Sequence, residues 1–162
     1  MSPRPPAPDL MFLLSWATHA LGAEYAVGLA ELGISQRAFC VLTAALPGGR
    51  TQRQLGEMCG VDKTTMVVTL DELERAGLAE RHPAPTDRRA RIVAVTEAGE
   101  KVVRRATEVT TRIQADVLAG LPAEDRAAFL RVLEELVQGR LGCAAPCEAP
   151  VRRQETGRLR TS

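Results

Sequence analysis

Three short stretches of this sequence carry residues suited to gripping a polyanion. Asp62-Lys63-Thr64-Thr65 sets an ammonium and two hydroxyls directly behind an aspartate that can cap a helix. Lys63 is a natural phosphate contact, and a helix N-terminus strengthens it. Thr64 and Thr65 can hydrogen-bond phosphates or base edges, and their methyls suit thymine. Gln52 and Arg53 open a second helix, within reach of a phosphate backbone. In Pro83-Ala84-Pro85-Thr86-Asp87-Arg88-Arg89, followed by Arg91, arginines cluster on a turn-rich loop too exposed to be core. Each group also has a plainer reading: capping for the threonines, and a solvated charge for Lys63 and the arginine run.

Other chemistries find little support. No nucleophile stands with a base, and the glycines sit at helix ends, not in G-x-G-x-x-G or a Walker loop. Glu72, Glu74, Glu134 and Glu135 read as solvated helix faces. Cys143 and Cys147 form Cys-x-x-x-Cys without a second pair at zinc-ligand spacing. His19 and His82 are the only histidines, and nothing places them together. Cys40 and Cys59 are most simply small buried residues. The expectation is a protein that is not an enzyme and has neither metal nor cofactor.

Composition agrees with an ordinary globular chain: 162 residues, 45% hydrophobic and 25% charged. Aromatics are only 3%, so Leu, Val and Ala must build the core. The net charge of +1 gives no global basic signal; binding to nucleic acid needs only a basic patch. No apolar run approaches the roughly 20 residues of a membrane span, and the first residues lack the features of a signal sequence. A cytoplasmic protein with mostly reduced cysteines is expected.

The positioning elements follow from periodicity and punctuation. Residues 1–8 read as a Pro-rich, disordered lead. A helix is predicted from Asp9 to about Leu32, with Gly33 as its stop. Ser35 caps a second, Gln36 to Leu46, with Phe39, Leu42 and Leu46 on one face. Thr51 and Gln54 form a capping box for a short helix with Leu55 and Met58 inward, ending at Cys59-Gly60. Asp62 caps the next, which ends at Ala76-Gly77; Met66, Leu70 and Leu73 face inward, and Thr64, Val68, Asp71 and Arg75 outward. Two helices joined by a tight glycine turn form a helix-turn-helix. Extended segments at 78–82 and 91–96 then make a hairpin whose long tip is a wing. A long helix from Thr96-Glu97 to about Gly120 carries Val102, Ala106, Val109, Ile113 and Val117. A last helix has Pro122 at its first position and Phe129, Val132, Leu133, Leu136 and Val137 on its apolar side.

The fold class is therefore mainly α with a small β-hairpin wing, a winged helix-turn-helix plus a helical dimerisation region. Residues 9–33 and 97–138 supply the dimerisation helices, 34–96 the DNA-binding region, and 139–162 a disordered tail. The apolar stripes at the two ends of the chain are most simply covered by a second copy in a two-fold homodimer.

The residues Thr51-Gln52-Arg53-Gln54-Leu55, Asp62-Lys63-Thr64-Thr65, Leu70 to Leu78, Asp87-Arg88-Arg89 and Val95-Thr96-Glu97-Ala98-Gly99 resemble the MarR family of winged helix-turn-helix regulators. The resemblance covers about Asp9 to Val137. It implies a regulator, typically a repressor released by a small effector, binding a pseudo-palindromic operator in double-stranded DNA. It implies further that Arg89 enters the minor groove, where negative potential concentrates, and that Asp87 orients it. Family members commonly bind aromatic or phenolic effectors; Trp16, His19, Tyr25 and Phe39 are the pocket candidates, though core packing is the simpler role for each. Some relatives sense oxidants through cysteine, which makes Cys143 and Cys147 the candidates for a thiol switch. A winged helix that binds protein is the other alternative. One departure stands out: where the family often has Thr-Arg in mid-helix, this chain has Val67-Val68, and Val68 projects outward as a candidate DNA contact, to meet either a thymine methyl or a neighbouring helix.

Overall fold

The computed structural model describes residues 9–85 and 90–142. In chain order its elements are α1 (Leu10–Ala30), α2 (Gln36–Ala45), α3 (Gln52–Cys59), α4 (Lys63–Arg75), β1 (Ala79–Pro83), β2 (Arg91–Val95), α5 (Glu97–Ala119) and α6 (Ala123–Gln138). This is the order of helix, helix, helix-turn-helix, hairpin, long helix and helix that the sequence predicts. It makes a winged helix, mainly α with one small hairpin. The chain divides into two compact units, the first ending at Val117 and the second beginning at Leu118. No helix among the described residues is long and apolar enough to cross a membrane.

In the first unit, helices begin where a short polar side chain meets the N–H groups that have no partner in the helix. Asp9 accepts from the amides of Met11 and Phe12, and Ser35 from that of Ala38. Thr51 and Gln54 close the predicted capping box: the Gln54 amide donates to Thr51 Oγ1 at 3.3 Å, and the Thr51 amide to Gln54 Oε1 at 2.8 Å. Asp62 accepts from the amides of Thr64 and Thr65, each at 3.0 Å.

These helices close on an almost purely aliphatic core, as 3% aromatics require. Leu29, Val41, Leu42, Leu55, Met66, Leu70 and Val93 are fully buried, with Val103 and Ala106 of α5 alongside. Several expectations shift here. Leu46 and Met58 are exposed. The inward side of α2 runs through Ala38, Val41, Leu42 and Ala45, and that of α3 through Leu55 and Gly56. On α5 the buried residues are Gly99, Val103, Ala106 and Thr110; the expected stripe of Val102, Val109 and Ile113 is its half-buried flank, and Val117 is exposed. Cys40 is exposed and Cys59 half-buried, so neither is a fully buried core residue. In the second unit Pro122 is the residue before α6 and not its first turn, and no residue of α6 is buried. Phe129, Val132, Leu136 and Val137 all stand exposed there.

The hairpin is antiparallel, with Ala79 opposite Val95 and Pro83 opposite Arg91. An element absent from the sequence reading joins its edge: Thr51 bridges to Ile92, and the Val93 amide donates to the Arg50 carbonyl at 3.0 Å. The start of α3 is thereby stitched to the wing.

The hairpin's base is locked at one residue. The Thr96 amide donates to the Leu78 carbonyl at 3.1 Å, and its hydroxyl donates to the Gly77 carbonyl at 2.7 Å. The same hydroxyl oxygen accepts from the Gly99 amide at 3.0 Å. Gly77 has φ +68°, which a side chain would strain. Gly99 is buried against the hairpin, and a Cβ there would collide with the Leu78 carbonyl and crowd Val95. Because the obstacle is backbone, Gly99→Ala is expected to destabilise the protein by about 2–3 kcal/mol. Urea denaturation measures this, and a loss under about 0.5 kcal/mol would refute the close packing.

Candidate nucleic-acid interface

Helix α4 is held by one face and free on the other. Met66, Thr69, Leu70 and Leu73 are buried. Lys63, Thr64, Val68, Glu72 and Arg75 are exposed, which puts the expected outward residues Thr64, Val68 and Arg75 on the solvent side. Asp71 departs from the expectation. It is only half exposed, because β1 returns beside α4 and brings Arg81 to it.

Arg81 is the residue that sequence reasoning missed. Its Nη2 lies 2.5 Å from Asp71 Oδ1 and 2.5 Å from Glu74 Oε2, while its backbone amide donates to Glu74 Oε1 at 2.8 Å. One guanidinium thus clamps two carboxylates of the outward helix to the first strand of the wing. The hydrogen bond from Arg81 holds the Glu74 carboxyl below its ordinary value, and Glu74 in turn raises Arg81.

The front of α4 is similarly ordered. The Thr65 hydroxyl donates to Asp62 Oδ2 at 2.6 Å. That bond and the two amides keep Asp62 below the usual carboxylate range. Lys63 and Thr64, one and two residues past Asp62, are exposed. On α3, Gln52 is half-buried and Arg53 exposed. Arg53 forms a loose 3.6 Å ion pair with Glu57, and since both are well exposed the pair is worth little. Arg91 is exposed at the start of β2. Asp87, Arg88 and Arg89 lie outside the described residues, as do Cys143 and Cys147.

The aromatic candidates separate into two groups. Trp16 and His19 are neighbours, ring centres 6.3 Å apart, with Phe12 stacked on Trp16 at 6.2 Å. Trp16 is 65% exposed and His19 exposed, so core packing within the chain does not hold for either. The physical reason is that the core meets α1 only near its end, at Tyr25 and Leu29, and then Leu32 in the turn beyond it. Tyr25 and Phe39 do pack against that core, and the Tyr25 hydroxyl accepts from Gln114 Nε2 at 2.5 Å. An open groove lined by Arg50, Gln54, Glu57 and Met58 contains none of the four.

Thiol chemistry has poor footing at Cys59. Burial first, and then Cys40 beside it, push its thiol up to about 12, which leaves little thiolate at neutral pH. Among the described residues no group of three or more His, Cys, Asp or Glu could hold a metal ion.

Known proteins share this arrangement. Residues 32–90 match the model of the MarR family. A crystal structure of MarR superposes with a TM-score of 0.76 at 25% identity, covering 84% of this chain and all of that one. The Mycobacterium tuberculosis MarR family protein Rv2887, in complex with p-aminosalicylic acid, gives a TM-score of 0.69 at 28% identity, covering 80% of this chain and 98% of that one. The transcriptional repressor CouR, bound to a 23-mer DNA duplex, gives 0.72 at 27% identity, covering 80% and 92%. CouR from Rhodococcus jostii RHA1 is also seen with p-coumaroyl-CoA.

The Arg81 clamp makes a signed prediction about pH. A carboxylate whose value is lowered on folding stabilises above its unfolded value, near 4.5, and that stability is lost as the pH falls through the lowered folded value. Arg81→Met is therefore expected to cost about 1 kcal/mol at pH 7, with the gap to the parent protein closing below pH 4.5. Thermal melts of both proteins across pH 3 to 7 check this; an equal gap at the two ends would refute the clamp.

Proposed function

We propose that this chain, which has the winged-helix fold of the MarR family of DNA-binding transcription regulators, binds a pseudo-palindromic operator in double-stranded DNA as a homodimer. The observation that carries the reading is α4: a helix fixed by Met66, Leu70 and Leu73, offering Lys63, Thr64, Val68 and Arg75 to solvent. A helix so presented enters a major groove with its N-terminal residues toward the bases. Lys63, Gln52 and Arg53 take phosphates, and Thr64 takes a phosphate or a base edge. Thr65, whose hydroxyl donates to Asp62, offers its methyl to a base edge, and Val68 faces the groove floor. Arg91 follows the backbone beside the wing, with Arg88 and Arg89 at its tip, Arg89 in the flanking minor groove and Asp87 orienting it. The family's members are regulators of transcription and not enzymes.

The second copy covers the apolar surface that one chain leaves open. Leu10, Met11, Phe12, Leu13 and Trp16 of α1 are all at least half exposed, as is Phe129 of α6 in the other unit. Leaving so many large side chains in water is costly, and association removes the cost. The regulator acts as a repressor released by a small aromatic or phenolic effector, with Trp16, His19, Tyr25 and Phe39 as the candidate contacts. Release works through a changed separation of the two α4 helices, which requires the effector to favour one separation over the other.

Selection of bound fragments from a random duplex pool by the purified protein tests the reading. The expected product is an inverted repeat with half-sites about ten base pairs apart, one helical turn. Enrichment of no sequence at near-physiological salt, with the protein free of small molecules, would overturn it.

A further inference from the structure

Val68 sits in the middle of the outward stripe of α4. It is 51% exposed, with Thr64 one turn before it and Glu72 one turn after, both exposed. Scattered surface valines need no explanation, but this one cannot be relieved by turning the helix. Rotating α4 to hide Val68 would draw Met66 and Leu70, each almost wholly buried, out of the core. The helix therefore holds a branched apolar side chain outward at the point where a polar reader would stand. Residues four apart lie about 5–6 Å apart at Cβ, so the Thr64 methyl extends the same apolar spot.

A valine has no hydrogen bond to give or take, so it cannot read the donor and acceptor pattern of a base pair. The one apolar feature on a natural base edge in the major groove is the C5 methyl of thymine. Resting on the reading of α4 as the groove helix, we propose that Val68 is a specificity-determining residue that recognises a thymine methyl in each half-site. Thr64 supplies the neighbouring wall of that contact. The discrimination is against cytosine at the same position, which presents no methyl and adds an amino donor that Val68 cannot satisfy.

The test uses the full-length protein and the duplex enriched from the random pool. Thymines are replaced one position at a time, in both half-sites together, by deoxyuridine, which keeps every hydrogen-bonding group and lacks only the methyl. Anisotropy titration is expected to show a loss of about fourfold per half-site at one position, the weight of one buried methyl, or about fifteenfold for the pair. V68A is expected to shrink the deoxyuridine penalty at that position to the smaller part that Thr64 still supplies, with the melting temperature and dimer mass of the parent. Equal binding of all the duplexes by the parent protein would overturn the proposal, as would a deoxyuridine penalty that is undiminished in V68A. Failure to bind even the unmodified duplex would instead bring down the DNA reading itself, and this assignment with it.

Discussion

The hydroxyl of Thr96 joins three segments that must keep fixed relations if the molecule is to read a surface. It donates to the last turn after α4, accepts from the first turn of α5, and its backbone closes the base of the hairpin. Gly99 makes the contact geometrically feasible, since any side chain there would meet the Leu78 carbonyl. The outward helix, the wing and the long α5 are thus set by a single backbone-level joint. Between α4 and α5 the chain runs only through this hydrogen-bonded hairpin.

Around that joint the electrostatics are local. With a net charge of only +1, a grip on nucleic acid has to come from the placement of basic residues and not from bulk charge. Asp62 caps α4, and Asp71 and Glu74 are held by Arg81, while Glu72 stands exposed on the outward side. This arrangement neutralises carboxylates that would otherwise repel phosphate and leaves Lys63 and Arg75 facing out. The clamp also ties strand β1 to α4.

Much of this was legible in the sequence because it depends on residues three or four apart. Thr51 with Gln54, Asp62 with Thr65, and the Met66-Leu70-Leu73 face are local patterns that survive into the structure unchanged. The features that escaped are those made by chain return. Arg81 meets partners seven and ten residues back, and Thr51 meets Ile92 across the whole helix-turn-helix. Asp71 was misread for that reason: its position on the helical wheel points outward, yet the hairpin supplies a cation beside it. Periodicity likewise marks an apolar stripe without saying what covers it. Trp16 and the leucines of α1 fit a helix face, but only the far end of that helix is buried within the chain.

The salt dependence of duplex binding tests the central claim most directly. Neutralising phosphates releases counterions, so with four or more phosphate contacts the logarithm of affinity should fall against that of salt with a slope of about −3.6 or steeper, a loss on the order of a hundredfold for a fourfold rise in salt. Titrating the purified protein against a fluorescent duplex at 50 to 200 mM salt, about the range over which such losses are read, gives the slope. A steep linear fall is the predicted result. A flat line would mean that the basic residues of α3, α4 and the hairpin do not grip phosphate, and the winged helix would have to serve a protein surface instead.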